Sequence, residues 1–179
     1  MANEVYVALL EEGVNAWNNW RNDNQRARPD LSGINLAGYQ LQNVNFRDAD
    51  LTEAHFEKAE LSNANFSLSN LSGAVLNNSN LSRAVLSGTI LKGAELIGAN
   101  LYSANLRGAD FAKANLKSAN LSGADMTKAD LTGANLTCAR LWMKYFGNKP
   151  SAILDETILW EAKLTGVDLS NVDMSKAHR

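Results

Sequence analysis

The sequence predicts an all-β solenoid, a chain wound around a narrow apolar axis, with an α-helical cap at its N-terminal end. Two patterns predict the solenoid. From 31 to 141 every fifth residue is Leu, Phe or Met, 23 consecutive positions without exception. Two residues before each of these centres lies a small residue: from 49 to 139 it is Ala sixteen times and otherwise Ser69, Ser79 or Thr89. A third observation, an amphipathic segment over residues 3 to 24, predicts the cap.

The period itself excludes the common alternatives. Five is neither the helical 3.6 nor the strand period of 2. Two patterned positions two residues apart point to one side of a short extended piece. The residue between them points away and is usually Asn or Asp. The remaining two residues must turn the chain so that the next pair also faces inward. Gly stands at the second of them at 33, 38, 73, 88, 93, 98, 108, 123 and 133. One such coil buries too little alone, so each must hydrogen-bond to its neighbours. A further five centres, Leu154, Leu159, Leu164, Leu169 and Met174, resume the ladder in a shifted register.

The repeats Ala104-Asn105-Leu106-Arg107-Gly108 and Ala109-Asp110-Phe111-Ala112-Lys113 carry the motif A(D/N)LXX and resemble the pentapeptide-repeat family. The resemblance covers residues 30 to 143. It implies a right-handed quadrilateral β-helix with four repeats per coil, hence about seven coils spaced by roughly 4.8 Å. Phe46 would then stack over Phe66, with Phe56 across the core. Gly13, Trp17-Asn18, Trp20-Arg21 and Pro29-Asp30-Leu31-Ser32 are also similar to a leader of some bacterial members. The resemblance therefore points to a bacterial protein, with a cyanobacterial source within family habit.

The expected organisation is a helical cap over 1–29, the repeat β-helix over 30–143, an inserted aromatic loop over 144–153, and final repeats with a tail over 154–179. On the cap, Leu10, Val14, Trp17 and Trp20 form the apolar stripe, extended by Tyr6 and Leu9. Glu11, Glu12, Asn15, Asn18 and Asn19 form the polar face. That face lacks the Lys and Arg of a membrane-surface helix. In the interruption, Trp142, Tyr145 and Phe146 are expected to fold back onto a coil, or else to serve as loop contacts.

Composition limits function. The net charge is −2, and residues 30–141 hold ten acidic and nine basic side chains. This is not the basic footprint of a direct nucleic-acid binder. It is also too near neutral for the DNA-mimicking inhibitors of DNA gyrase, which act as dimers, that the resemblance brings into view; that role replaces phosphates with negative charge. Cys138 is the single cysteine, so no intrachain disulfide forms and a reducing, cytoplasmic setting is expected. No secretory signal or membrane-spanning run is apparent. His55 and His178 are the only histidines, and no GxGxxG, P-loop, HExxH or CxxC spacing occurs. No catalytic, cofactor or metal residues are therefore assigned.

Two surface features remain. Asp30, Asp50, Asp110 and Asp130 share an outward column if a coil has 20 residues, with Asn70 and Ile90 between; a metal strip or a DNA-mimicking stripe are the sharper readings of it, and a solvated face the plain one. Leu68, Val75, Val85, Ile90, Ile97 and Tyr102 are apolar at outward positions and form the candidate partner surface. Leu68 and Val85 are expected on one wall, Val75 and Ile97 on another. The expected function is a non-enzymatic protein–protein interaction scaffold or regulatory module with an unknown protein partner, homodimerisation left open.

Overall fold

The computed structural model describes residues 2–142 and 151–179. Two helices come first, α1 (Glu4–Glu11) and α2 (Val14–Asp23). The expectation of a continuous helical segment over 3 to 24 is corrected here. Gly13 takes φ +104°, outside the helical range, and breaks the segment into two. Asn3 starts α1, its side-chain oxygen accepting the Val5 N–H at 3.0 Å.

From Asp30 onward the chain coils. Bridged pairs are parallel and 20 residues apart, from Asp30↔Asp50 to Asn120↔Arg140, so four repeats close one turn. Each wall is extended over only a few residues between corners. The walls are therefore ladders of single bridges rather than longer strands. We label them by their first residue: wall I from Asp30, wall II from Asn35, wall III from Gln40 and wall IV from Asn45.

The motif follows from satisfying every backbone amide. In the repeat 104–108, Asn105 N–H donates to Ala84 C=O of the previous coil at 2.9 Å. Leu106 N–H and Gly108 N–H donate to Asp125 and Thr127 of the next coil at 2.8 and 2.9 Å. The following Ala109 N–H closes the corner onto Leu106 C=O at 3.0 Å. That leaves Arg107 N–H, which donates to the Asn105 side chain at 3.2 Å. Asn or Asp recurs at the outward position because it can accept this fifth amide.

The corners demand a left-handed residue. Every Gly singled out in the ladder has positive φ, but so do Asn43, Glu53, Leu68, Arg83, Lys128 and other non-glycine residues at the same position. Inside, Leu, Phe and Met fill the axis from 31 to 141 and the Ala ladder lies between them from 49 to 139, all buried. Phe46 stacks over Phe66 at 5.5 Å, and Phe56 stands 6.0 and 5.9 Å from them. Where Ser69 or Thr89 replaces Ala, its hydroxyl donates to the Phe66 carbonyl at 2.6 or 2.7 Å, so no polar atom is stranded.

Late in the chain the pairing interval changes to 28 residues at Asp125↔Ile153, Asp130↔Ile158 and Asn135↔Lys163. An eight-residue insertion is thus accommodated without loss of wall register. The ladder resumes earlier than the 154 boundary expected from sequence: Ala152 is buried and its N–H donates to Leu141 C=O at 2.8 Å. Tyr145 and Phe146 lie outside the described residues, and Trp142 is half-buried. No helix among the described residues is long and apolar enough to cross a membrane.

Candidate interaction surface

The six outward apolar residues do not converge. Val85 belongs to wall IV, Ile90 to wall I and Val75 to wall II. Leu68 occupies the corner between walls IV and I, Ile97 the corner between II and III, and Tyr102 the corner between III and IV. Leu68, Val85 and Ile90 therefore sit in one quadrant on successive coils, and Val75 and Ile97 lie away from it. Leu68 is 55% exposed and Ile90 40%, with Val85 half-buried between them.

Leu68 is the least expected residue at its place. Its φ is +61°, a conformation that costs a branched side chain on the order of 1–2 kcal/mol. Its side chain lies against the corner of the next coil, where Gly88 has no side chain. A Cβ built at Gly88 would stand 2.9 Å from Leu68 Cδ2. The pair thus forms a low apolar ridge beside Ile90.

The aspartate column exists as a ladder on wall I: Asp30, Asp50, Asn70, Ile90, Asp110, Asp130. Its carboxylates are engaged locally. Asp30 accepts the Ser32 N–H and hydroxyl at 3.0 and 2.7 Å, and these bonds hold its carboxyl below the usual range. Asp50 accepts the Thr52 N–H and hydroxyl at 3.0 and 2.6 Å, and Lys92 pairs with Asp110 at 3.1 Å. On wall IV, Arg107 pairs with Asp125 at 2.9 Å. Among the described residues no group of three or more His, Cys, Asp or Glu is placed to hold a metal ion. His55 faces Glu57 at 3.3 Å, and Cys138 is exposed at a corner.

Walls II and III carry amide ladders. Asn120 donates to Asn100, Asn100 to Asn80, and Asn80 to the Glu60 carboxylate, at 3.0, 3.1 and 2.9 Å. Asn135, Asn115 and Glu95 repeat the arrangement at 3.2 and 2.9 Å.

At the N-terminal end, α2 lies on wall IV of the first coil. Leu10 and Trp17 are buried there, and Val14 and Trp20 are half-buried. Trp17 packs 5.6 Å from Phe46 and donates its indole N–H to Asn45 C=O at 2.7 Å. Two residues missed as contacts from sequence do equal work. Asn18 accepts the Asn45 N–H at 2.9 Å and donates to Asn43 C=O at 2.9 Å. Arg21, 2% exposed, donates to the carbonyls of Ala27 and Arg47 at 2.9 and 2.7 Å, and burial pushes its pKa down. In the amphipathic pattern Asn18 falls on the polar face. An α-helix has no way to signal in its own period that a polar side chain meets a sheet edge.

The family model for pentapeptide repeats matches eight copies over residues 30–67, 69–108, 109–141 and 151–178. The chain belongs to the pentapeptide-repeat family. Its fold is accordingly the right-handed quadrilateral β-helix of that family. Among solved structures, trypsin-treated QnrB1, a plasmid-mediated fluoroquinolone resistance protein, aligns at TM-score 0.56 and 24% identity, covering 83% of this chain and 76% of that one. HetL, a pentapeptide-repeat protein involved in heterocyst differentiation regulation in Nostoc sp. strain PCC 7120, aligns at TM-score 0.32 and 26% identity, covering 89% and 92%. Rfr23 from the cyanobacterium Cyanothece 51142 aligns at 0.37 and 28%, covering 90% and 96%. No curated protein matches the chain by sequence.

Proposed function

We propose that this pentapeptide-repeat chain is a non-enzymatic protein-interaction module of the bacterial cytoplasm, with α1 and α2 as the cap of its first coil. The observation that carries the reading is the exposed apolar quadrant of Leu68, Val85 and Ile90 across walls IV and I, flanked on those ladders by Asn65, Asn70, Asn105 and Asp110. Leu68 is an exposed branched apolar side chain in a left-handed position where Gly or Asn would serve the fold better, so a role outside folding accounts for it. Rigid, regular walls suit recognition by another protein. Mimicry of DNA is less favoured, because Lys92 and Arg107 neutralise carboxylates on walls I and IV.

The test is a pull-down from the source organism's lysate with the wild type and a Leu68→Lys/Ile90→Lys variant. The core is untouched, so both should melt alike. A partner held by the wild type and lost by the variant supports the quadrant. Equal capture, or none, removes it as the binding surface.

A further inference from the structure

The first coil has an edge that its neighbours lack, and the two helices close only part of it. In every later coil the bridged residue donates its N–H to the coil before and accepts at its C=O from the same coil, as His55 does with Ile34 and Leu36. The first coil has no coil before it. On wall IV, Asn18, Trp17 and Arg21 supply the bonds to Asn45 N–H, Asn45 C=O and Arg47 C=O. On wall I, Asn3 N–H reaches Asp30 C=O at 2.9 Å.

Walls II and III receive nothing comparable. Among the described residues, the N–H groups of Asn35 and Gln40 and the carbonyls of Asn35, Ala37, Gln40 and Gln42 have no protein partner. Each of the two walls thus offers one donor and two acceptors in the spacing of a short parallel bridge, and the chain turns between them at Gly38. Asn35, Ala37, Gly38, Tyr39 and Gln40 are all exposed. The devices that usually blunt a sheet edge are missing: no charged residue and no proline occurs from 31 to 46.

Apolar surface borders the same edge. Tyr39 is 45% exposed at a position that is small and buried in the next five coils, at Ala59, Ser79, Ala99, Ala119 and Ala139. Beside wall II, a shallow groove is lined by Ala2 and Val7 from the α1 side and by Ile34 and Asn35 from the coil, with Ser32, Gly33, Thr52 and Glu53 completing its lining. The core beneath is already sealed, since Leu36 and Leu41 are buried.

We propose that this edge is a strand-addition site, which takes a segment of a partner protein that runs parallel to residues 35–42 in two short extended pieces and turns with them at Gly38. Main-chain bonds supply the affinity, and alternate apolar side chains of the guest enter the Ala2–Val7–Ile34 groove and meet Tyr39. A second copy is not the occupant. Copies meeting end-on would be held apart by α1 and α2, each about 10 Å thick, well over the roughly 4.8 Å of strand pairing. The inference rests on the interaction-module reading but not on the Leu68 quadrant.

The experiment selects linear random peptides, displayed on phage, against the intact protein. It then measures their affinity and the hydrogen exchange of individual amides. Bound peptides should slow exchange at Asn35 and Gln40, and an Asn35→Pro/Gln40→Pro variant should bind them about tenfold or more weakly. Neither backbone amide is bonded within the protein, so the variant loses only the exposed side-chain bonds of Asn35 to Ala37 N–H and of Gln40 to Gln42, and should still melt cooperatively. If the prolines do disturb the coil, the exchange readout on the wild type still decides. Peptides that bind without slowing those two amides overturn the edge and leave the module reading standing. So does a selection that yields no peptide, because the lysate experiment tests the module separately. Protection of the two amides that grows with protein concentration alone would assign the edge to a second copy and overturn the proposal.

Discussion

At the scale of single residues, the repeat is a solution to corner geometry and amide satisfaction. Gly88 shows the corner constraint. With φ +64° and Leu68 packed over it, Gly88→Ala should destabilise by about 1–2 kcal/mol from the backbone alone. Adding Leu68→Ala should relieve only the contact share of the loss, as urea titration of the double-mutant cycle would show. Asp125 shows the electrostatic constraint. Burial raises its pKa, but the Thr127 hydroxyl and amide at 2.6 and 3.0 Å and Arg107 outweigh this and hold the carboxyl below its ordinary value. A lowered carboxyl stabilises the fold above the unfolded-state pKa of about 4, and that contribution fades as pH falls through the native value. The melting-temperature gap between wild type and Asp125→Ala should therefore narrow below about pH 4. A gap that is constant from neutral to acid pH would refute the linkage.

At the scale of elements, α2 replaces a missing coil with side chains. Asn18 is the sharpest case, since one amide both accepts from Asn45 N–H and donates to Asn43 C=O. Asn18→Ala should cost about 1–3 kcal/mol, because the partly buried Asn45 amide loses its partner. Asn18→Asp should cost less, since the acceptor remains. Unequal losses by chemical denaturation would support this, and equal losses would mean the site serves packing only. The α2 contacts also mark where sequence reading stopped. The period-five ladder made the core, the small inner position and the Phe46–Phe66 stack legible, because each repeat restates the same constraint. Asn18, Arg21 and the break at Gly13 are single instances without a repeat to average over. The left-handed corners at Leu68, Arg83 and Lys128 were hidden for another reason: the coil imposes that backbone on whatever residue stands there.

At the scale of the whole molecule, each coil touches only the coils beside it, so stability varies along the axis. Leu106 lies in the interior, fully buried. Leu106→Asp places a charge where no partner exists and should unfold or fragment the stack, read as loss of the cooperative melt. A soluble variant melting like the wild type would contradict the packing described. The candidate quadrant was legible only in part, because the side chains at 68, 85 and 90 were visible but their shared corner depended on four-repeat closure. The two ends then differ. The first coil is sealed by Leu10 and Trp17, while Leu164, Val167, Leu169, Val172, Met174 and Ala177 of the last coil are only half-buried. Fewer buried contacts lower the free energy of local opening. Amide hydrogen exchange should therefore be slowest in the interior coils around residues 71–116 and fastest over 164–177, with the first coil between them on walls I and IV. Truncating α1 and α2 should speed exchange at Asn45, Arg47 and their neighbours while leaving 71–116 unchanged. Uniform acceleration along the axis would instead mean that the stack opens as one cooperative unit, and the nearest-neighbour account would have to give way.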